Sequence, residues 1–303
     1  MKLLRAATLC VADLDRSIET YARWLDYQLV ETGTLDAGLA AAWDAPASEG
    51  SRTAILRPAS GRDVFLRFVE SPAHRAYVPL RSYGWAAIEI CVTDVLATHE
   101  RMRRSPFEVI GPPREIEGLD AIYPMQVRGP DAEIVYLTQI RSDLPEFDLP
   151  RAQAPIDSLF ILVMGCSDLP ASLAWLERHA GLAIGRAKLD IVYTMLAKAY
   201  GTPLEALHRI ATMTHGRDVF LELDQYPVAA ILRPRHAGWL PPGVAVGSFA
   251  HPDFAQLAAR AETTGVAPVA PHAGSLYAGR RAMTLRAPDG TLVEILDGAG
   301  LVS

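Results

Sequence analysis

The string Gly-Arg-Asp-Val-Phe-Leu stands at Gly61–Leu66 and again at Gly216–Leu221, 155 residues later. A chain without a low-complexity tract does not repeat six residues in a row by accident, so the first constraint on the fold is a duplicated unit. Each copy reads as a hairpin: an approach strand (Ala54–Pro58, Ile210–Thr214), a glycine-containing turn, and an outgoing strand of alternating character. The copies, GRDVFLRF and GRDVFLEL, differ at one inward position, Arg67 against Glu222. That exchange of a cation for an anion is where function is sought.

A second pair of repeats divides each half again. MQVRGPDAEIVYLTQI, starting at Met125, returns as MTLRAPDGTLVEILDG, starting at Met283, 158 residues later. Helix starts recur as well. Asp13 caps a stretch with Leu14, Ile18, Tyr21 and Leu25 at helical spacing, and Asp168, again 155 residues on, caps one with Leu169, Leu173, Leu176 and Ala180. Asp94 starts a helix through Met102, and another runs to Thr264. Each helix follows a strand-like run: Leu3–Val11, Trp85–Val92, Phe160–Val163 and the stretch after Gly243. LDAGLAAAWDAP, from Leu35, and LDIVYTMLAKAYGTP, from Leu189, read as helical inserts, the second a lid carrying Tyr193, Met195, Leu196 and Tyr200. The plan is an α+β chain of four βαβββ modules. Modules 1–72 and 83–140 form a first domain, 1–140. A linker rich in proline and charge spans 141–155, and modules 156–227 and 240–298 form a second domain, 156–303.

Charge and cysteine usage exclude several function classes. A net charge of -6 supplies no basic surface for a phosphate backbone, so no nucleic-acid partner is expected. Cys10, Cys91 and Cys166 lie in strand-like contexts without CxxC spacing, which reads as buried thiols in a reducing compartment. The N-terminal apolar run is cut by Asp13, and no window approaches the roughly 20 apolar residues of a membrane span. A cytoplasmic protein with no membrane partner is the expectation.

The strand ending in VADLDRS with a helix after it, and hairpins of the form RAPDGTLVEIL, resemble the vicinal oxygen chelate superfamily: glyoxalase I, bleomycin-resistance proteins, methylmalonyl-CoA epimerase and extradiol dioxygenases. The resemblance covers nearly the whole chain and implies paired modules that curl into two open-barrel cups. In the metal-dependent members, a His on the first strand of a module and a Glu on its last strand bind a divalent ion. The matching positions here are Ala6 and Arg67, Ala87 and Tyr136, Ile161 (or Ser158) and Glu222, and Val246 and Glu294. No imidazole stands at any of them, and Arg67 would repel a cation. No metal and no other cofactor is therefore expected. Two carboxylates could still hold a hard ion loosely, and His208, His215 or His272 could serve as displaced ligands.

What the resemblance implies for function rests on those surviving acids. Glu222 and Glu294 are expected to face one another in the cup of the second half as catalytic residues, because two carboxyls sharing a poorly hydrated site push one pKa toward neutrality. Asp224 shares their face by strand parity. Tyr193, His208, Phe220, Ser248, His272, Tyr277 and Arg280 are the expected substrate contacts around them. The cup of the first half is expected to carry Arg67, Tyr136 and Glu89, with Glu89 the counterion of Arg67. The expected partner is a small, apolar or aromatic carbonyl-bearing molecule that undergoes metal-independent isomerase- or lyase-type chemistry, and a homodimer is left open. The alternatives are a non-catalytic sequestering protein like the bleomycin-resistance members, and a metal-dependent dioxygenase or lyase with displaced ligands.

Overall fold

A computed structural model describes residues 2–182, 185–271 and 274–299. Module one comprises β1 (Leu4–Val11), α1 (Leu14–Leu25), β2 (Tyr27–Thr34), α2 (Ala37–Ala42), β3 (Arg52–Pro58) and β4 (Phe65–Glu70). Module two comprises β5 (Gly84–Val92), α3 (Val95–Met102), β6 (Glu108–Gly111), β7 (Ile122–Arg128) and β8 (Ile134–Ile140). In module three, β9 (Ile156–Cys166) leads to α4 (Leu169–Trp175), β10 (Arg186–Val192), α5 (Thr194–Tyr200), β11 (Leu207–His215) and β12 (Asp218–Gln225). Module four has β13 (Gly243–His251), α6 (Phe254–Glu262), β14 (Ala282–Arg286) and β15 (Leu292–Asp297). Among the described residues it has three strands, with a single bridge from Val269 to Ala282 where the others place a fourth.

Helix starts follow local chemistry. Asp13, Asp94 and Asp168 each accept a hydrogen bond from a backbone N–H of the first turn, at Arg16, Leu96 and Ala171, satisfying donors a helix leaves unpaired. The duplicated hairpins turn at Gly61 (φ +76°) and Gly216 (φ +60°), in the left-handed region that glycine adopts without a side-chain clash.

The modules pair differently from the expectation. One sheet runs β14-β15-β13-β1-β4-β3-β2 and the other β10-β11-β12-β9-β5-β8-β7-β6. Module one therefore pairs with module four, and module two with module three, through antiparallel contacts of their first strands: Ala6 beside Ser248, and Ala87 beside Val163. Duplication defines the modules but not their partners, because every first strand offers the same kind of edge. The segment 141–155, read as a linker between domains, crosses within one sheet from β8 to β9. We call the two concave faces the terminal cup (modules one and four) and the central cup (modules two and three).

Strand parity sorts the cores. Ala7, Leu9 and Val11 of β1, with Leu162 and Met164 of β9, point to the convex side, where they join the apolar faces of α1, α3, α4 and α6 in one shared core. Trp85 ties the two sheets together there, its indole donating to the Leu292 carbonyl at 2.7 Å. The opposite faces fill separately. Ala6, Cys10, Phe65 and Val246 pack beneath Leu39, Ala40 and Trp43 in the terminal cup, whereas Ala87, Ile161 and Val163 pack beneath Tyr193, Met195 and Leu196 in the central one. Each insert thus covers a cup. The second insert is only partly helical: Leu189–Val192 belongs to β10, paired with β11, and the helix starts at Thr194.

Candidate functional site

In the terminal cup the chain supplies its own cation. Arg67, on β4, lies beside Thr8 of β1 in parallel register, and its Nε donates to Thr8 Oγ1 at 2.8 Å. One terminal nitrogen is 3.2 Å from Glu294 Oε2, and the other donates to the Tyr277 hydroxyl. Glu294 is fully buried and also accepts from Tyr277 at 2.8 Å and from Ser248 at 2.6 Å. The guanidinium stands 4.5 Å from the Trp43 ring centroid and 5.5 Å from that of Tyr277. Burial alone would lower the Arg67 pKa, but Glu294 and Tyr277 outweigh it and hold the value above the ordinary one. This is a completed charge network whose donors and acceptors satisfy one another.

The central cup has the opposite balance. Glu222 of β12 occupies the place that Arg67 holds in module one, and no ion pair among the described residues involves Glu222, Asp224 or Glu89. Asp224, two residues along the same face, is fully buried, and neither of its carboxylate oxygens has a well-formed hydrogen bond. Glu89 comes from β5, where it lies beside Tyr136 of β8, and accepts from Thr138 at 2.6 Å. The hydroxyls of Tyr136 and Tyr193 are hydrogen-bonded to one another. The Tyr226 hydroxyl and His208 Nε2 are buried without partners.

Unneutralised burial moves these acids upward. Burial, reinforced by the charge of Glu222, raises Glu89 to about 8, with the Thr138 hydrogen bond opposing. Asp224 rises to about 7, through burial first. Glu222 is raised well above the usual carboxyl range by burial and by its neighbour Asp224. Burial also lowers His208, which keeps its imidazole neutral. Glu222 is the one carboxyl of the three that stays partly exposed, so the cup opens to solvent there.

Several sequence expectations are corrected by this arrangement. Glu222 and Glu294 do not face one another; they lie in different sheets because their modules pair with different partners. Glu89 and Tyr136 do not meet Arg67 for the same reason, and the counterion of Arg67 is Glu294. Ser248 and Tyr277 belong to the terminal cup, and Arg280 touches only its rim, through the Tyr277 carbonyl at 3.5 Å. Phe220 faces the shared convex core against Phe249. The register between β11 and β12 shifts there, pairing Met213 with Leu221 and Thr214 with Val219, so Phe220 is skipped and its parity reversed. His272 lies outside the described residues. Glu222, Asp224, Glu89, Tyr136, Tyr193 and His208 do come together.

Thr8, Trp43, Thr138 and Tyr226 take part without having been singled out. Tyr226 alone carried a sequence signal: it continues the parity of Glu222 and Asp224.

Comparison with known proteins points in one direction. Residues 3–131 match the model of the Glyoxalase/Bleomycin resistance protein/Dioxygenase superfamily. Over that stretch the chain is similar to a domain of that superfamily. The whole fold is similar to the crystal structure of glyoxalase I from Zea mays, at TM-score 0.65 and 18% identity over 98% of this chain and 93% of that one. It is also similar to a putative dioxygenase from Bacillus subtilis, at TM-score 0.61 and 13% identity over 97% and 84% of the two chains. No curated protein sequence matches the chain.

The superfamily's divalent ion can be tested against the donors present. In the terminal cup Arg67 fills the space beside Glu294 with a fixed positive charge, so the residues there do not fit a metal. In the central cup, no group of three or more His, Cys, Asp and Glu among the described residues is arranged to hold one.

Proposed function

We propose that this glyoxalase-superfamily protein is a small-molecule enzyme whose central cup performs acid–base chemistry beside a carbonyl group, without a metal. The observation that carries the reading is a cluster of three carboxyls, the buried Asp224 and Glu89 and the partly exposed Glu222, with no protein cation to neutralise them. A carboxyl held near neutrality is matched to proton transfer at physiological pH. Glu222 and Asp224 share a proton between them, and in its ionised form Glu222 accepts the proton from the carbon beside the carbonyl. Glu89, protonated near neutral pH, gives a proton to the carbonyl oxygen, and the Tyr136–Tyr193 hydroxyl pair donates to the charge that develops there. Return of the proton to the same carbon from its opposite face, with the enol O–H proton passing back to Glu89, completes an isomerisation by epimerisation; loss of a leaving group from the next carbon, with the same return of the O–H proton, completes an elimination.

The test is proton exchange. With a panel of aryl ketones and 2-oxo acids in D₂O, loss of the NMR signal beside the carbonyl is expected with the wild type, and at least about 100-fold slower exchange with Glu222→Gln. Exchange that survives Glu222→Gln and Asp224→Asn together would refute the proposal. So would a stoichiometric transition metal in the purified protein whose removal abolishes exchange. Tight ligand capture with no exchange would favour the sequestering reading, which the apolar insert surface of Tyr193, Met195 and Leu196 also supports. The buried, unpaired thiols Cys10, Cys91 and Cys166 support a reducing, cytoplasmic setting.

A further inference from the structure

The two cups pose the same electrostatic problem and solve it differently. In the terminal cup, a buried carboxylate meets a planar cation that stacks on aromatic rings. In the central cup the carboxylates and the rings are present and the cation is missing. Asp224 is completely buried, without a well-formed hydrogen bond to either oxygen, and meets only another acid, Glu222, and the Tyr193 hydroxyl; the Tyr226 hydroxyl, 3% exposed, is a second polar group on the same wall without a partner. Orphaned buried polar groups of this kind are rare in folded proteins, because a group stripped of water and given no partner destabilises the fold. Two of them beside Glu222 describe the complement of something that is not part of the chain.

We propose that the central cup takes an organic cation, an ammonium or guanidinium group on an apolar body, with Asp224 and Glu222 pairing with the charged nitrogen and the tyrosine rings stacking against it. The inference rests on the reading of the central cup as the functional one and names the substrate class for it. Arg67 is the internal template. It sits where Glu222 sits in the duplicated hairpin, and its guanidinium satisfies the terminal cup as the ligand's cation would satisfy the central one. A carboxylate accepting a bidentate guanidinium or an ammonium regains the partners it lost on burial. Three aromatic walls, Tyr136, Tyr193 and Tyr226, supply ring faces in a site from which water is largely excluded, where cation–π attraction is strongest. A neutral or anionic ligand would leave Asp224 unpaired or repelled.

Charge selectivity tests this on the intact protein. Benzylguanidinium and benzylammonium are titrated calorimetrically against neutral benzyl alcohol and anionic benzoate, shapes that differ chiefly in charge. Both cations are expected to bind at least about tenfold more tightly than the alcohol, with benzoate weakest. Binding should release protons, seen as a dependence of the heat on the buffer's ionisation enthalpy, because the carboxyls enter the complex ionised. Affinity for benzylguanidinium, which stays charged throughout, should rise from pH 5 to pH 8. The groups that titrate or carry charge around the site are Glu89 of β5, Glu222 and Asp224 of β12, His208 of β11, the hydroxyls of Tyr136, Tyr193 and Tyr226, which burial keeps protonated, and Arg233, whose charge reaches Tyr226; the neutral imidazole adds no competing positive charge. Asp224→Asn should abolish the preference for cations, and Ser248→Ala, in the other cup, should leave it intact. Equal binding of alcohol and cation, no binding of either cation, or displacement of the cations by stoichiometric Mg²⁺, Mn²⁺ or Zn²⁺ would each overturn the inference. Neutral-ligand selectivity together with carboxyl-dependent proton exchange would sink the cation and leave the acid–base reading standing.

Discussion

The terminal and central cups are the same architecture with one charge reversed. At the duplicated position Arg67 faces Glu294 in one cup, whereas Glu222 faces Glu89 and Asp224 in the other. In the first case the low dielectric of the interior strengthens a satisfied network. In the second, the same environment penalises ionisation and lifts three carboxyl pKa values. What the contrast teaches is that the terminal cup contributes to holding the fold, whereas the central one stores unpaired chemistry. The sharpest way to break that contrast is to remove the cation. Arg67→Met leaves Glu294 charged and buried, so unfolding in urea should show a loss of about 3–5 kcal/mol, most of it recovered in the double variant Arg67→Met/Glu294→Leu. Glu222→Gln should be neutral or stabilising at pH 8. A large loss there would erase the distinction between the cups.

The next effect is a pH dependence of opposite sign to that of an ordinary acidic ion pair. Glu89 holds its proton in the folded protein up to about 8 but releases it near the usual value of about 4.3 when unfolded. Its contribution to stability is therefore complete below the unfolded value and is lost as pH rises through the folded one. The stability curve should fall between about pH 5 and pH 8 at no more than about 1.4 kcal/mol per pH unit per group. Asp224, about 7, acts in the same direction, as does Glu133, about 7 and buried against Tyr21 at the contact of modules one and two. Thermal unfolding across that range should become shallower in Glu89→Gln. An unchanged slope would mean that Glu89 does not carry the proton.

Much of this was legible beforehand and some was not. The repeats of GRDVFL and of the RxPD hairpins report module number and order, because they encode turns and alternation that act locally. The partnership of the modules is not local. It depends on which first-strand edges meet, and β1, β5, β9 and β13 read alike in that respect, so Glu294 was assigned to the wrong cup. Asp224 and Tyr193 do lie on the faces that parity and the insert position indicate, but Asp224, expected near a solvated mouth, is fully buried. One irregularity of register turns Phe220 away from the cup, and the Leu-Asp-Ile-Val stretch of β10 pairs as a strand on its two-residue alternation although it adjoins a helical segment.

The smallest expected effects come from two tyrosines that the comparison sets against each other. Tyr277 is hydrogen-bonded to both Arg67 and Glu294, so Tyr277→Phe should cost about 1–3 kcal/mol. The Tyr226 hydroxyl is buried without a partner, so Tyr226→Phe should be neutral or stabilising by up to about 1 kcal/mol in chemical denaturation. Equal losses would mean that the central cup is as internally satisfied as the terminal one.

The most direct measurement is a carboxyl titration of the folded protein by ¹³C NMR with labelled Asp and Glu side chains, resonances being assigned through Glu89→Gln, Glu222→Gln and Asp224→Asn. The account predicts that Glu89 titrates at about 8 and Asp224 at about 7, with Glu222 raised well above the ordinary carboxyl range, and that each signal disappears with its own substitution. If Glu89, Glu222 and Asp224 all lose their protons below about pH 5, in the range of exposed carboxylates, the central cup holds no stored proton and the account is contradicted.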